Sequence, residues 1–363
     1  MIYPWIEPVF RQLVSDAGRR HHALLLTGPA GIGKQALALA LARSRLCEQP
    51  LADGAACRRC AACGWFDAGN HPDFRHLAPA GEGSEGADGE ASGSTPARPA
   101  RGASGRTPRG SREIRIDQVR ALDGFLDVAA HRAGSRVILV EPADAMNTVA
   151  ANALLKRLEE PPPGAGFILV TSRPAALPAT IRSRCRRFSL GLPARGSARD
   201  WLAADLGLSA EQADGWLAAA GGAPLHAREL AADTKAGNYR RIVDAFAGLP
   251  EAGIVATADA LSGVDPLDWA GAAQTWAADL ARVCAGANPR RHIDRHERLN
   301  RLAGQTRLGR VTQLERRLRT LAWEAPHPLN PRLLLEDILL EYHRALVAPA
   351  TTPPVRTRST PER

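Results

Sequence analysis

No stretch of these 363 residues is long and apolar enough for a helical membrane span, and residues 1–15 have neither the basic start nor the apolar core of a secretory leader. A spanning helix is therefore excluded. A reducing cytoplasm is the expected location, where disulfides are not the default use of cysteine. Residues 79–112 lack Val, Ile, Leu, Met and every aromatic. With Gly, Ala, Ser, Pro and charge instead, they cannot bury enough apolar surface to offset their ordering entropy, and a disordered surface insertion is expected there. It runs from acidic (Glu82, Glu85, Asp88, Glu90) to basic. The net charge of +9 and pI near 9.8 invite a nucleic-acid partner. Eight arginines lie in two low-complexity segments, Arg98, Arg101, Arg106, Arg109 and Arg112 of that insertion and Arg356, Arg358 and Arg363 of a Pro/Thr-rich tail, but Glu82, Glu85, Asp88, Glu90 and Glu362 in the same segments leave them only +3 of the +9. The 45% hydrophobic content of the chain suits two or three packed domains.

What is present begins with a glycine loop, Gly28-Pro29-Ala30-Gly31-Ile32-Gly33-Lys34-Gln35, between an apolar run at 23–26 and a leucine- and alanine-rich helix pattern at 34–46. Strand, glycine turn and helix together make a phosphate cradle. Gly28, Gly31 and Gly33 let backbone N–H groups face a polyphosphate, and Lys34 would reach the β and γ phosphates. Gln35 stands where a Ser or Thr hydroxyl normally binds Mg²⁺, and its neutral amide oxygen is a weaker substitute. The fold signal is therefore stronger than the nucleotide signal, and ATP binding stays open.

Four of the six cysteines follow at once, Cys47, Cys57, Cys60 and Cys63, spaced C-x9-C-x2-C-x2-C. Four thiolates at such spacing suit a closed, tetrahedral, structural Zn²⁺ site. A redox-active C-x2-C pair is the competing reading. Cys47 is the least secure ligand, and Cys185 and Cys284 read as ordinary buried cysteines.

Further on, helix patterns at 116–128 and 148–160 alternate with apolar strand patterns at 137–140, 167–171 and 187–190. After a glycine loop this order predicts a parallel, doubly wound sheet. From Ala194 onward the strand signal disappears. A capping box at Ser209-Ala210-Glu211-Gln212 opens a helix that should stop near Gly221-Gly222, and helices follow at 267–283, 312–323 and 332–346. The last is introduced by Asn330 and Pro331.

The strand at 136–140 ends in Glu141-Pro142-Ala143-Asp144, where an ATP-hydrolysing protein of this architecture carries Asp-Glu. Glu141 can still offer a carboxylate to a metal. Pro142 cannot polarise water, and Asp144 is not expected to face the same point. Hydrolysis by the chain alone should be negligible.

The run Asn152-Ala153-Leu154-Leu155-Lys156-Arg157-Leu158-Glu159-Glu160-Pro161-Pro162, the later Ile181-Arg182-Ser183-Arg184-Cys185 and the cysteine module resemble the bacterial clamp-loader branch of the AAA+ family. Tyr3-Pro4-Trp5, His71-Pro72-Asp73 and the 330–342 segment resemble its non-hydrolysing member. The likeness covers nearly the whole chain except 79–112 and the tail. It implies a RecA-like α/β domain over 1–190 with an inserted Zn module at 47–63, a small helical lid over 191–234, an all-α collar over 235–348 and a tail at 349–363. It further implies a ring with gamma or tau and delta subunits that opens a sliding clamp and places it on primed DNA, as an accessory to a DNA polymerase. In that ring Arg184 would act as a finger at the neighbour's ATP site, with Arg182 and Arg186 as the rival candidates. Ser183 and Cys185 would shape the turn. Gamma and tau subunits keep the Ser/Thr, the Asp-Glu and a lid arginine. Here the corresponding positions hold Gln35, Pro142 and Leu225, with Arg228 one turn beyond. A hydrolysing gamma/tau-type subunit is the alternative reading. A nucleic-acid binder working through the insertion is a third, and Arg290, Arg291, Arg295, Arg298 and Arg301 form a stripe better read as solvated or subunit-facing.

Overall fold

The computed structural model describes residues 2–15, 21–79, 113–127, 134–324 and 330–347. All of the insertion but Pro79, and the tail from residue 348, lie outside the described residues. The chain divides into two compact units, Met1–Ala198 and Arg199–Arg363.

The first unit is built on five parallel strands: β1 (Ala23–Thr27), β2 (Phe74–Leu77), β3 (Arg136–Val140), β4 (Ala165–Thr171) and β5 (Arg186–Ser189), in the spatial order β2-β3-β4-β1-β5. Every residue of β1, β3 and β4 is buried, because these strands are covered on both faces. Helices α1 (Glu7–Ser15), α2 (Lys34–Leu46), α3 (Ala61–Asp67), α4 (Ile116–Asp127), α5 (Thr148–Glu159) and α6 (Ala179–Arg184) connect or cover the strands. Leu122 and Leu126 of α4, Leu154 and Leu158 of α5 and Ile181 of α6 share a core with Leu25, Ile138, Val140 and Leu169. Helix α2 packs on β1, β3 and β4 outside that cluster. The register sets Thr27 beside Thr171 and Ser189, and Val140 beside Leu169. Residues just past the ends of β1, β3 and β4 therefore meet at one edge of the sheet, the place where such folds hold ligands.

Strand β2 was not visible in the sequence. It is a short sheet-edge strand, Phe-Arg-His-Leu, with only Leu77 fully buried, so it carries little apolar signal. Helix α5 starts where Asn147 accepts the Ala150 N–H at 2.9 Å and stops before the three prolines.

The second unit contains no strand among its described residues. Helix α7 (Arg195–Leu206) leads into it, followed by α8 (Ala210–Ala219), α9 (Pro224–Ala231), α10 (Asp233–Ala252), α11 (Ile254–Ala260), α12 (Pro266–Cys284), α13 (His296–Ala303), α14 (Leu308–Glu324) and α15 (Pro331–Val347). The capping box on α8 forms as predicted, with both Ser209 and Gln212 bonded. Trp269, Trp276, Phe246 and Tyr342 fill a core shared by α10 to α15, and Trp276 Nε1 donates to Tyr342 Oη at 2.7 Å. Asp279 is 2% exposed and accepts backbone N–H groups from Arg290, Arg291 and His292. Burial alone would raise its carboxyl, but the bond from His292 and those three N–H groups outweigh it and hold the pKa at about 2.

Candidate nucleotide and metal sites

The glycine loop leaves β1 at Gly28, whose φ of 148° brings its Cα against the Leu190 carbonyl. Gly33, with φ 91°, caps α2, and a Cβ there would lie 2.5 Å from Ile6 Cδ1 and 3.0 Å from Tyr3. The aromatic pair at the N-terminus therefore serves as a buttress. Tyr3 and Trp5 stack at 5.2 Å, and Trp5 Nε1 donates to the Ile32 carbonyl at 2.9 Å.

Lys34, the first residue of α2, is 6% exposed. Its Nζ donates to the Pro29 carbonyl at 2.6 Å and to Ser172 Oγ at 2.8 Å. Ser172 follows β4 and had no signal in the sequence, because only the pairing of β1 with β4 brings it to the loop. Burial lowers the Lys34 pKa, and Glu141 and Asp144 work against that shift. Asp144, in the short 3₁₀ turn Ala143–Ala145, accepts from Thr171 Oγ1 at 2.6 Å and from Arg173 Nε at 2.7 Å and has no bond to Lys34, on which only its charge acts.

Glu141 faces Lys34 and is hydrogen-bonded to the Gln35 side chain, and burial raises its pKa to about 7 against the pull of both. Its Oε2 is buried with no hydrogen-bond partner among the described residues. The cradle thus keeps its cation and its turn, beside a neutral amide and a carboxyl whose pKa burial has raised. A carboxyl with its folded pKa raised from 4.5 to about 7 gives stability that is full below pH 4.5 and lost as pH rises through 7. Glu141→Gln should therefore remove about 1–3 kcal/mol of decline in unfolding free energy between mildly acidic and alkaline pH. Urea denaturation across that range checks it, and parallel pH profiles for both proteins would refute it.

Arg184 ends α6 and is ion-paired with Glu159 at the end of α5. It also donates to the Thr180 carbonyl at 3.1 Å. The two side chains of the pair are 35% and 46% exposed. Such a pair is worth about 0–1 kcal/mol, so it can be exchanged for a stronger anion at little cost. Arg182 differs: its Nε is buried and lacks a partner among the described residues. Arg186 belongs to β5. Cys185 is buried and its thiol is raised to about 11 by that burial, which suits packing rather than reaction. Cys284 is only half-buried.

The four predicted cysteine ligands come together, with all four sulfurs within 4.8 Å of one another. Cys47 and Cys60 sulfurs are 3.9 Å apart, close to the roughly 3.8 Å edge of a tetrahedron with 2.3 Å metal–sulfur bonds. The N–H groups of Cys57, Cys60 and Cys63 point at the sulfurs of Cys47, Cys57 and Cys60 at 3.3, 3.4 and 3.4 Å. Such bonds stabilise thiolates. The Cys57 pKa is lowered to about 6, chiefly by the Arg59 backbone, while burial pushes Cys63 up to about 12. Four converging sulfurs, rather than two, can hold a metal. Cys47 is the C-cap of α2 and Cys60 the N-cap of α3, so a metal would tie the end of the phosphate-loop helix to the module.

A sequence model of the family described as DNA polymerase III, delta subunit matches residues 7–193, about half of the chain. The chain belongs to this family. The matched span of this delta-subunit family covers the sheet, the glycine loop, the cysteine cluster and Arg184. Among named relatives, the DNA polymerase III subunit delta' of Pseudomonas aeruginosa is 40% identical over 230 residues, 63% of this chain and 61% of its own. That of Escherichia coli K12 is 37% identical over 209 residues, 57% of this chain and 54% of its own. The chain thus spans somewhat more than half the length of these relatives. A solved DNA polymerase III gamma subunit-related protein from Thermotoga maritima is 17% identical with a TM-score of 0.40, covering 94% of this chain and 99% of its own.

Proposed function

We propose that this chain works as the delta prime subunit of a DNA polymerase III clamp loader, a non-hydrolysing assembly subunit that helps place the sliding clamp on primed DNA. The observation that carries the reading is the altered cradle. Lys34 and the glycine turn persist, while Gln35 is bonded to Glu141 where a metal-binding hydroxyl would stand, and Pro142 follows where a water-polarising carboxylate would stand. The chain's family membership supports it independently. In this reading gamma or tau and delta subunits are the partners, and Arg184 serves the neighbour's ATP site. A gamma/tau-type motor is disfavoured, because Leu225 and Pro142 remove further parts of the hydrolytic apparatus. The intact Lys34 leaves room for passive nucleotide binding, with Glu141 as the remaining metal carboxylate and no attacking water prepared. The cysteine cluster is assigned to structural Zn²⁺, the 191–234 helices to a lid and the 235–348 helices to a collar. Work in the cytoplasm follows from that partnership, and no described helix is long and apolar enough to cross a membrane.

Mixing the purified chain with gamma or tau and delta should give one stoichiometric complex on gel filtration that loads clamp onto primed DNA. A chain that stays apart from both subunits would contradict the assignment.

A further inference from the structure

Much of the arginine stripe at 290–301 is consumed inside the fold. Arg295 pairs with Asp244, and Arg298 binds the Ala247 carbonyl and Glu251. Arg291 is held without being neutralised. Asp279 fixes its backbone by accepting the Arg291 N–H at 2.8 Å, beside those of Arg290 and His292. Its guanidinium lies over Gly221, where φ is 68° and an added Cβ would come within 2.8 Å of Nη2 and 2.9 Å of Cζ. Only the bond from Nη1 to the Ala219 carbonyl, at 3.1 Å, spends its donors, and no carboxylate of the described residues pairs with it. Arg291 lines a depression of about 260 Å³ that lies wholly within the second unit, among α9, α10 and α12. Leu230, Ile242 and Leu267 give the walls an apolar side, Lys235 adds a second cation, and Asp268 is the acid of the lining. Glu229 stands close by, 3.8 Å from His226 Nδ1. Two acids near two cations leave no strong positive field for a polyanion such as nucleic acid. What remains is unspent hydrogen-bonding capacity on a fixed guanidinium beside an apolar wall.

We infer that this depression binds a single carboxylate borne on a branched aliphatic group, with Arg291 as its anchor. A guanidinium fork donates two parallel bonds to one carboxylate, and a fork already held by its surroundings loses little freedom when it does so. The apolar wall takes the aliphatic group, whose burial supplies the rest of the affinity. Two sources carry this chemistry, a free aliphatic acid and the C-terminal residue of a polypeptide ending in an aliphatic side chain. The inference uses neither the nucleotide cradle nor the clamp-loader reading.

Ligand-observed NMR titration of the full-length chain tests it. N-acetyl-leucine should bind with a Kd of roughly 1 mM, and the uncharged N-acetyl-leucinamide at least about tenfold more weakly. Arg291→Gln should cost the acid about the same factor. Gly271 of α12 also lines the depression, and a Cβ there meets nothing within 4 Å. Gly271→Leu should therefore fill the space and abolish binding while the thermal unfolding midpoint holds or rises, since leucine is the better helix former. This variant carries the test even if Arg291→Gln folds poorly. 4-Methylpentanoate keeps the carboxylate and the branched chain without the peptide group. Equal affinity for it identifies a free acid as the ligand, and affinity about tenfold lower identifies a polypeptide C-terminus; either supports the site. Equal affinity for acid and amide, or acid binding undiminished in Gly271→Leu, would overturn it. So would no binding of either acid at concentrations well above the expected Kd.

Discussion

Arg184→Ala should leave the reconstituted complex intact while slowing ATP turnover at the neighbouring site by about 10³ or more. The size follows from the contrast between the two partners open to this guanidinium. In the isolated chain it lies on Glu159, with both side chains well exposed, an attachment worth about 0–1 kcal/mol. Against a γ-phosphate in a water-poor interface, the same planar fork donates two parallel bonds and neutralises charge that grows in the transition state. The exposed pairing therefore stores the side chain without trapping it. Arg184→Lys should recover little, because an ammonium offers a point charge and no fork. Arg182→Ala should have no comparable effect on turnover, since the Arg182 Nε is already buried. Turnover unchanged by Arg184→Ala, with the complex assembled, would remove the finger role.

The second large effect concerns the cysteine cluster. Protein purified without chelator should contain one zinc per chain, and replacing it with Co²⁺ should give the intense charge-transfer absorption of a tetrahedral thiolate site. Cys57→Ser should lower the stability of the first unit by about 3–5 kcal/mol, because binding free energy at such a site is folding free energy. The loss should reach beyond the module, since Cys47 closes the helix that Lys34 opens. Stoichiometric metal analysis checks the first part and chemical denaturation the second. Metal-free protein with unaltered stability would dismiss the assignment.

Much of this architecture could be read from residue order alone. Fully buried parallel strands need continuous apolar runs, and 23–26, 137–140 and 167–171 are such runs. Caps announce themselves through short polar side chains, as Ser209 and Asn330 do. The four cysteines were legible as a cluster because two-residue spacings bring successive sulfurs together. What escaped was whatever depends on register or on partners distant in sequence. Ser172 reaches Lys34 only because Thr171 pairs with Thr27, and no local pattern encodes that. Likewise Asp144 meets Thr171 and Arg173 only through the fold, 27 and 29 residues away in sequence. Helix α10 carries Gly237 and Pro250 inside its span, and packing against α12 overrides their weak propensity. The 290–301 arginines looked like one surface in a list of charges. Folding turned several of them inward onto carbonyls and acids.

On the proposed function, the nucleotide cradle of this chain holds its shape without the parts that cleave ATP, and its arginine acts at a neighbour's site. Steady-state phosphate release by the purified chain, with Mg²⁺ and saturating ATP, tests this most directly when run beside Lys34→Ala. Rates should lie at background and be indistinguishable between the two proteins. Sustained release by the wild-type chain that disappears in Lys34→Ala would contradict it.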